Sequence, residues 1–237
     1  CKDVCKNGER KIRMKTAILI PARLKSSRLT NKMLVELDGV PLIKRVYDAC
    51  VQTDYDTYVV TDSLEIAEIV PSFIITGEAR NGTERCAMAA KDLNYGNYVN
   101  VQGDMPDITP AMINKVVKGL DDYDVTTLYT DMREEEQNKP SSVKMVRAGN
   151  NCLWFGRGMT GYGDWHLGIY GYRNHALSKY PHLDVYLEET VENLEQLRWL
   201  KIGIGIGCFH TEFDGVEINT EQDVHLWNYK NDRTKNK

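Results

Sequence analysis

No stretch of the 237-residue sequence approaches the roughly 18–20 uninterrupted apolar residues of a membrane helix, so nothing in it reads as a membrane span. Cysteine is sparse: Cys1, Cys5, Cys50, Cys86, Cys152 and Cys208 are scattered without a close pair. That spacing excludes a zinc-finger reading and fits free thiols in a reducing cytoplasm. No glycine fingerprint follows the first apolar run, which argues against a dinucleotide-dependent dehydrogenase. Gly203, Gly205 and Gly207 alternate strictly and no helix follows them, the pattern of an edge or surface strand. An excess of positive charge is missing too. The formal net charge of −4 argues against broad nucleic-acid binding, although Lys and Arg cluster locally between Lys11 and Lys32. The first residues lack the apolar middle of a signal peptide. We expect residues 1–13 to be a disordered extension, 14–230 the folded domain and 231–237 a polar tail.

What is present is ordinary for a folded protein: 42% hydrophobic and 27% charged residues, enough for one substantial core. Apolar runs alternate with helical patterns, which predicts βαβ units around a mainly parallel sheet. Strands are predicted at Thr16–Pro21, Thr57–Thr61, Phe73–Ile75 and Tyr98–Val101. Helices are predicted at Pro41–Cys50, Leu64–Val70, Gly82–Leu93 and Pro110–Leu120. The second half changes character. Val125–Tyr129, Val143–Val146, Leu153–Phe155 and Leu167–Tyr172 read as strands, several of them antiparallel. Glu188–Ile202 is the strongest helical pattern, followed by a strand at Ile204–His210 and a closing helix at Glu221–Tyr229.

Ligands of open α/β sheets sit beyond the carboxyl ends of the strands. Four polar segments fall at such ends: Arg23–Lys32, Thr61-Asp62, Gly82–Arg85 and Gln102–Asp104. The first, with Arg23, Lys25, Arg28 and Lys32, is either a solvated basic loop or a cradle for a triphosphate. Asp104 after Gln102-Gly103 is either a helix cap or a Mg²⁺ ligand for a nucleotide phosphate. Val216–Thr220 offers further metal or sugar contacts. His166 reads equally as a half-buried strand start, one of Tyr170 and Tyr172 as core, and Glu195 with Arg198 as a surface ion pair.

Read together, IPARLKSSRL, VVTDSLEIAEIV, NGTERCAMAA, NVQGDMPDI, HLGIYGYR, LEQLR and VEINTEQDV resemble, in order, the segments of CMP-Kdo synthetases (3-deoxy-manno-octulosonate cytidylyltransferases). The resemblance runs from about Lys15 to about Leu226. It implies a single α/β nucleotidyltransferase domain. The sheet would be mixed, mainly parallel and Rossmann-like, flanked by helices, with a smaller antiparallel region for sugar binding and dimerisation.

The activity implied is transfer of CMP from CTP to the anomeric hydroxyl of Kdo, releasing pyrophosphate, in a cytoplasmic homodimer. Arg23, Lys32 and Asp104 would be catalytic. Pro21, Ala22, Arg28, Thr61, Asp62, Gly82, Thr83 and Arg85 would help bind the nucleotide. Gln102, Arg157, His166, Tyr170, Glu195 and Gln196 would line the sugar pocket, and Asp104 with Asn219 would hold Mg²⁺. Three departures stand out. The loop ends Leu29-Thr30-Asn31-Lys32 where the family has LPGK, and the segment from Phe155 to His166 is short. Asn219 replaces an aspartate, which implies weaker metal binding or rescue by Glu217 or Asp223. Rival readings are a cytidylyltransferase for sialic acid or an amino-Kdo, and a silent nucleotide-binding homologue.

Overall fold

The computed structural model describes residues 14–24 and 28–235; the expected extension 1–13 and Lys25 of the basic loop lie outside them. Strand β1 (Thr16–Ala22) is buried along its whole length. Ile18 and Ile20 face one core, while Ala17 and Leu19 face the other. Burial on both faces is why the run is continuously apolar rather than alternating.

The chain continues through β2 (Glu36–Leu37), β3 (Val40–Pro41), α1 (Leu42–Cys50), β4 (Asp56–Thr61), α2 (Leu64–Ala67), β5 (Phe73–Ile75), α3 (Gly82–Ala90), β6 (Asn97–Val101) and α4 (Pro110–Gly119). The second half supplies β7 (Val125–Thr130), β8 (Lys144–Ala148), β9 (Asn151–Gly156), β10 (Asp164–Arg173), α5 (Asn174–Lys179), α6 (Leu187–Glu192), α7 (Leu197–Lys201), β11 (Ile206–His210) and α8 (Glu221–Lys235).

Among the described residues these strands form a nine-stranded sheet ordered β5-β4-β1-β6-β10-β7-β11-β9-β8, with β2 and β3 a separate hairpin. β5, β4, β1 and β6 are mutually parallel, as are β7 and β11. β10 runs against β6 and β7, and β8, β9 and β10 pair antiparallel as a smaller lobe. The sheet is thus mixed, with the parallel tips of β1 and β6 side by side. α1, α4 and α8 pack on one face, and α3, α5 and α7 on the other.

Two expectations are corrected. The predicted helix Glu188–Ile202 is broken, because Asn193 takes φ 53° and ψ 52°, ends α6 and forces a turn before α7. The strand carrying Gly207 is not at an edge; it lies inside the sheet between β7 and β9. A Cβ on Gly207 would come 2.5 Å from the Tyr123 ring, so the glycine is there for packing. The final helix also runs on to Lys235, into the segment read as a tail.

Gly171, in the middle of β10, has the same packing constraint in the core. An added Cβ would lie 2.5 Å from Thr126 Oγ1 and 2.7 Å from Val116 Cγ1. We expect Gly171→Ala to cost about 1–3 kcal/mol of stability, the range for overpacking a tight core. Urea unfolding checks this, and an unchanged midpoint would show that the strand yields.

Candidate active site

The basic loop is brought to the site by a turn. Asn31 adopts φ 49° and ψ 39°, the left-handed region, and opens a short 3₁₀ turn at Lys32–Leu34. Glycine enters that region freely and asparagine is among the few other residues that do so readily. Asn31 therefore preserves the bend at the position where the family pattern has glycine. Behind it, Met33 packs onto the β6 tip, where a Cβ on Gly103 would lie 2.7 Å from its sulfur. The neighbouring Lys32 Nζ then reaches Asp104 Oδ2 at 2.6 Å and Asn219 Oδ1 at 3.4 Å. Arg28 Nη2 also donates to Asn219 Oδ1, at 3.1 Å, and Ile218 N donates to the Asp104 carbonyl at 2.9 Å. Three segments remote in sequence are joined at one point.

Beside this junction lies a cavity of about 180 Å³. It is lined by Arg28, Gln102, Asp104, Arg157, His166, Tyr170, Glu195, Gln196 and Asn219, all expected from the sequence. Ser141, Val143, Gly168, Asn193, Leu194 and Glu217 complete the wall; Ser141 and Asn193 carried no recognisable signal, being single polar residues in irregular segments. His166 is buried, not half-buried; its Nε2 lies 3.0 Å from Thr127 Oγ1 and its ring packs edge-on to Phe155. Tyr170 and Tyr172 stack with centroids 5.9 Å apart. Tyr170 faces the cavity, and Tyr172 lies beneath it with its hydroxyl 3.3 Å from Thr83 Oγ1.

Glu195 does not pair with Arg198. Its two oxygens accept from Gly82 N (3.2 Å) and Thr83 N (2.8 Å), where the N-terminus of α3 favours an anion. Arg198 instead forms a buried pair with Glu189, its Nε donating to Oε2 at 2.8 Å.

The other residues expected to bind the nucleotide form a cluster of their own. Arg85 is buried and donates to Asp62 Oδ2 (2.7 Å) and Thr76 Oγ1 (2.8 Å), while Thr61 Oγ1 accepts from Ser63 N. Gly82 links this cluster to the cavity: its Cβ would sit 3.3 Å from Pro21 and 3.4 Å from the Gln102 amide. Arg23 is exposed just past the tip of β1, and Pro21 and Ala22 are buried within it.

For a metal the donors are hard oxygens: the Asp104 carboxylate, the Asn219 carboxamide and Glu217. Burial, then the neighbouring Asp104 charge, pushes the Glu217 carboxyl up to about 8. Asp223 is not available to help, because its Oδ2 accepts from Asn219 N, Thr220 N and Thr220 Oγ1. Among the described residues no three of His, Cys, Asp and Glu form a metal cage. The set fits Mg²⁺ all the same, since that ion usually takes one or two carboxylates and completes its shell with substrate phosphates and water.

A cationic loop after the first strand, facing a carboxylate at a neighbouring strand tip on this mixed sheet, defines a nucleotidyltransferase. The chain belongs to the cytidylyltransferase family, whose model matches residues 17–206. It is 36% identical to a 3-deoxy-manno-octulosonate cytidylyltransferase of Chloroherpeton thalassium, covering 89% of this chain and 95% of that protein. It is 35% identical to an 8-amino-3,8-dideoxy-manno-octulosonate cytidylyltransferase of Shewanella halifaxensis, covering 90% and 97%. A solved CMP:2-keto-3-deoxy-manno-octonic acid synthetase complexed with CTP superposes with a TM-score of 0.86 at 30% identity, covering 93% of this chain and 99% of that one.

The buried histidine gives the site a pH signature. Burial, reinforced by the Arg157 charge, pushes the His166 imidazole down to about 3. In the unfolded chain it returns to about 6.5. Between those values the unfolded state binds the extra proton, so this contribution is fully present above about pH 6.5 and is lost as pH falls toward 3. We expect His166→Gln to flatten the fall in unfolding free energy over that window. An unchanged slope would mean that His166 is not buried neutral.

Proposed function

We propose that this protein transfers CMP from CTP to the anomeric hydroxyl of Kdo, releasing pyrophosphate, as a cytoplasmic step toward lipopolysaccharide or another surface glycan. One observation carries the reading: residues from the first loop, the β6 tip, β10 and the turn after α6 line one cavity. Cations stand at its phosphate end, and polar groups with the half-buried Arg157 guanidinium stand at the other. The curated Kdo cytidylyltransferases and the CTP-bound synthetase structure support the choice of substrates.

The chemistry is in-line attack of the sugar hydroxyl on the α-phosphorus, which depends on positioning and charge neutralisation rather than on a covalent intermediate. Arg23, Arg28 and Lys32 would take up the negative charge that grows on the departing pyrophosphate. To do so Lys32 exchanges its Asp104 partner for phosphate oxygen, which leaves Asp104 and Asn219 to hold Mg²⁺. That ion, when bound, supplies charge neutralisation and lowers the pKa of a coordinated hydroxyl. The cysteines among the described residues take no part: Cys50, Cys86, Cys152 and Cys208 are buried free thiols, and burial raises the pKa of each. A homodimer is part of the same proposal. It is supported by the exposed apolar side chains Leu187 and Val191 on α6 and is decided by light scattering.

The deciding assay is pyrophosphate release with CTP and Mg²⁺, offering Kdo, 8-amino-Kdo and sialic acid in parallel. Turnover with Kdo is expected. Turnover with the amino sugar alone would move the assignment to the Shewanella-type activity, and turnover with none would leave a nucleotide-binding homologue. Asn keeps an oxygen ligand but removes a charge, so Asn219→Asp should tighten Mn²⁺ binding and lower the Mg²⁺ concentration needed for half-maximal rate. Indifference of both would exclude Asn219 from the metal site.

A further inference from the structure

The Arg157 guanidinium donates its hydrogen bonds to neutral acceptors. Nη1 donates to the carbonyls of Ser141 (2.7 Å) and Pro140 (3.2 Å), and Nε donates to the carbonyl of Glu192 (3.1 Å). The carboxylate of Glu192 is close by but is turned to the main chain. Its Oε2 accepts from Arg157 N at 2.6 Å and from Gly158 N at 3.4 Å.

The helix end explains why the Glu192 carbonyl can serve. α6 stops at Glu192 because Asn193 turns left-handed, and the last carbonyls of a helix have no partner within it. A cation is favoured at that end by the helix dipole. Had the carboxylate gripped the guanidinium directly, the two charges would have cancelled. Instead the guanidinium is fixed by carbonyls and keeps its charge at the cavity wall, with the Glu217 carboxyl as its foremost charged neighbour and Arg28 as the nearby like charge. A half-buried cation fixed in this manner suits an anionic group on the ligand. On the proposed function, that group is the carboxylate of the acceptor sugar.

We propose that Glu192 is a positioning residue for the acceptor. It seats Arg157 through its carboxylate and its carbonyl, and it leads through Asn193 into the turn that carries Glu195 and Gln196. Glu192 thereby sets the Arg157 side of the acceptor pocket, while its hydrogen bonds go to Arg157 and Gly158 rather than to the loop and strand tips expected to hold the nucleotide. The inference rests on the sugar-acid reading of the cavity.

Glu192→Ala and Glu192→Gln test it. With Glu192→Ala, KM for Kdo should rise about tenfold or more, the scale on which a displaced positioning group is felt. KM for CTP should stay within about twofold, because the nucleotide contacts are untouched. Glu192→Gln keeps one amide oxygen to accept a main-chain N–H and should recover part of the loss. Hydrogen exchange at the amides of Arg157 and Gly158 should quicken in Glu192→Ala while β1 and β6 stay protected. An unchanged KM for Kdo, or a parallel rise for CTP, would overturn the proposal. If the unaltered protein makes no CMP-Kdo, the functional reading fails by itself. The exchange measurement then still decides the seating, and unchanged exchange at 157 and 158 would refute it.

Discussion

Asp104 is the point on which the site depends. Its carbonyl accepts from Ile218 N and its carboxylate accepts from Lys32, so one residue at a strand tip binds the first loop and the segment before α8 to the sheet. Neither of those segments is regular, and neither has a core of its own. What places them is the parallel pairing of β1 with β6, which sets the two tips side by side before any side chain is chosen. The glycine at 103 is part of the same constraint, because Met33 occupies the space a larger residue would need. On the proposed function, Lys32 carries one charge and would face two claims on it, from Asp104 and from phosphate. An exchange of partners is therefore built into its role.

The rest of the site is held differently, by arginines, of which Arg85 and Arg198 are buried and Arg157 is half-buried. Arg198 pairs with Glu189 and anchors α6 to α7; removing one partner of such a pair strands the other charge, at a cost of about 3–5 kcal/mol. Arg85 fastens Asp62 to Thr76, which fixes the tip of β4 beside α3. Arg157 joins β9, the segment at Pro140-Ser141 and the end of α6. Each guanidinium spans several segments because its donors lie in a rigid fork. The result is a cavity whose walls come from irregular chain yet have few degrees of freedom.

Much of this was legible in the sequence, for identifiable reasons. Buried parallel strands read as apolar runs, so β1, β4, β6 and β7 were recognisable, and the polar segments after them marked the site. The motifs then named nine residues of the cavity. The pairings, however, were hidden. Glu195 and Arg198 are three apart in the chain, which suggests a helical pair. The left-handed Asn193 ends α6 and leaves Glu195 in the turn ahead of α7, which holds Arg198, and each finds a partner elsewhere, one at the N-terminus of α3 and the other in Glu189. Glycines 203–207 looked peripheral because spacing says nothing about which strands flank a segment. Glu192 was silent for the same kind of reason: its part depends on a helix ending and on main-chain groups, which no residue pattern records.

Asn31 shows what the basic loop requires at its sharpest bend. The backbone there asks for a torsion angle, and asparagine supplies it as glycine would. A search pattern spelled in letters would reject this loop, while one spelled in dihedral angles would accept it. The loop can therefore drift in composition and still deliver its lysine, so long as the residue before that lysine tolerates a left-handed turn.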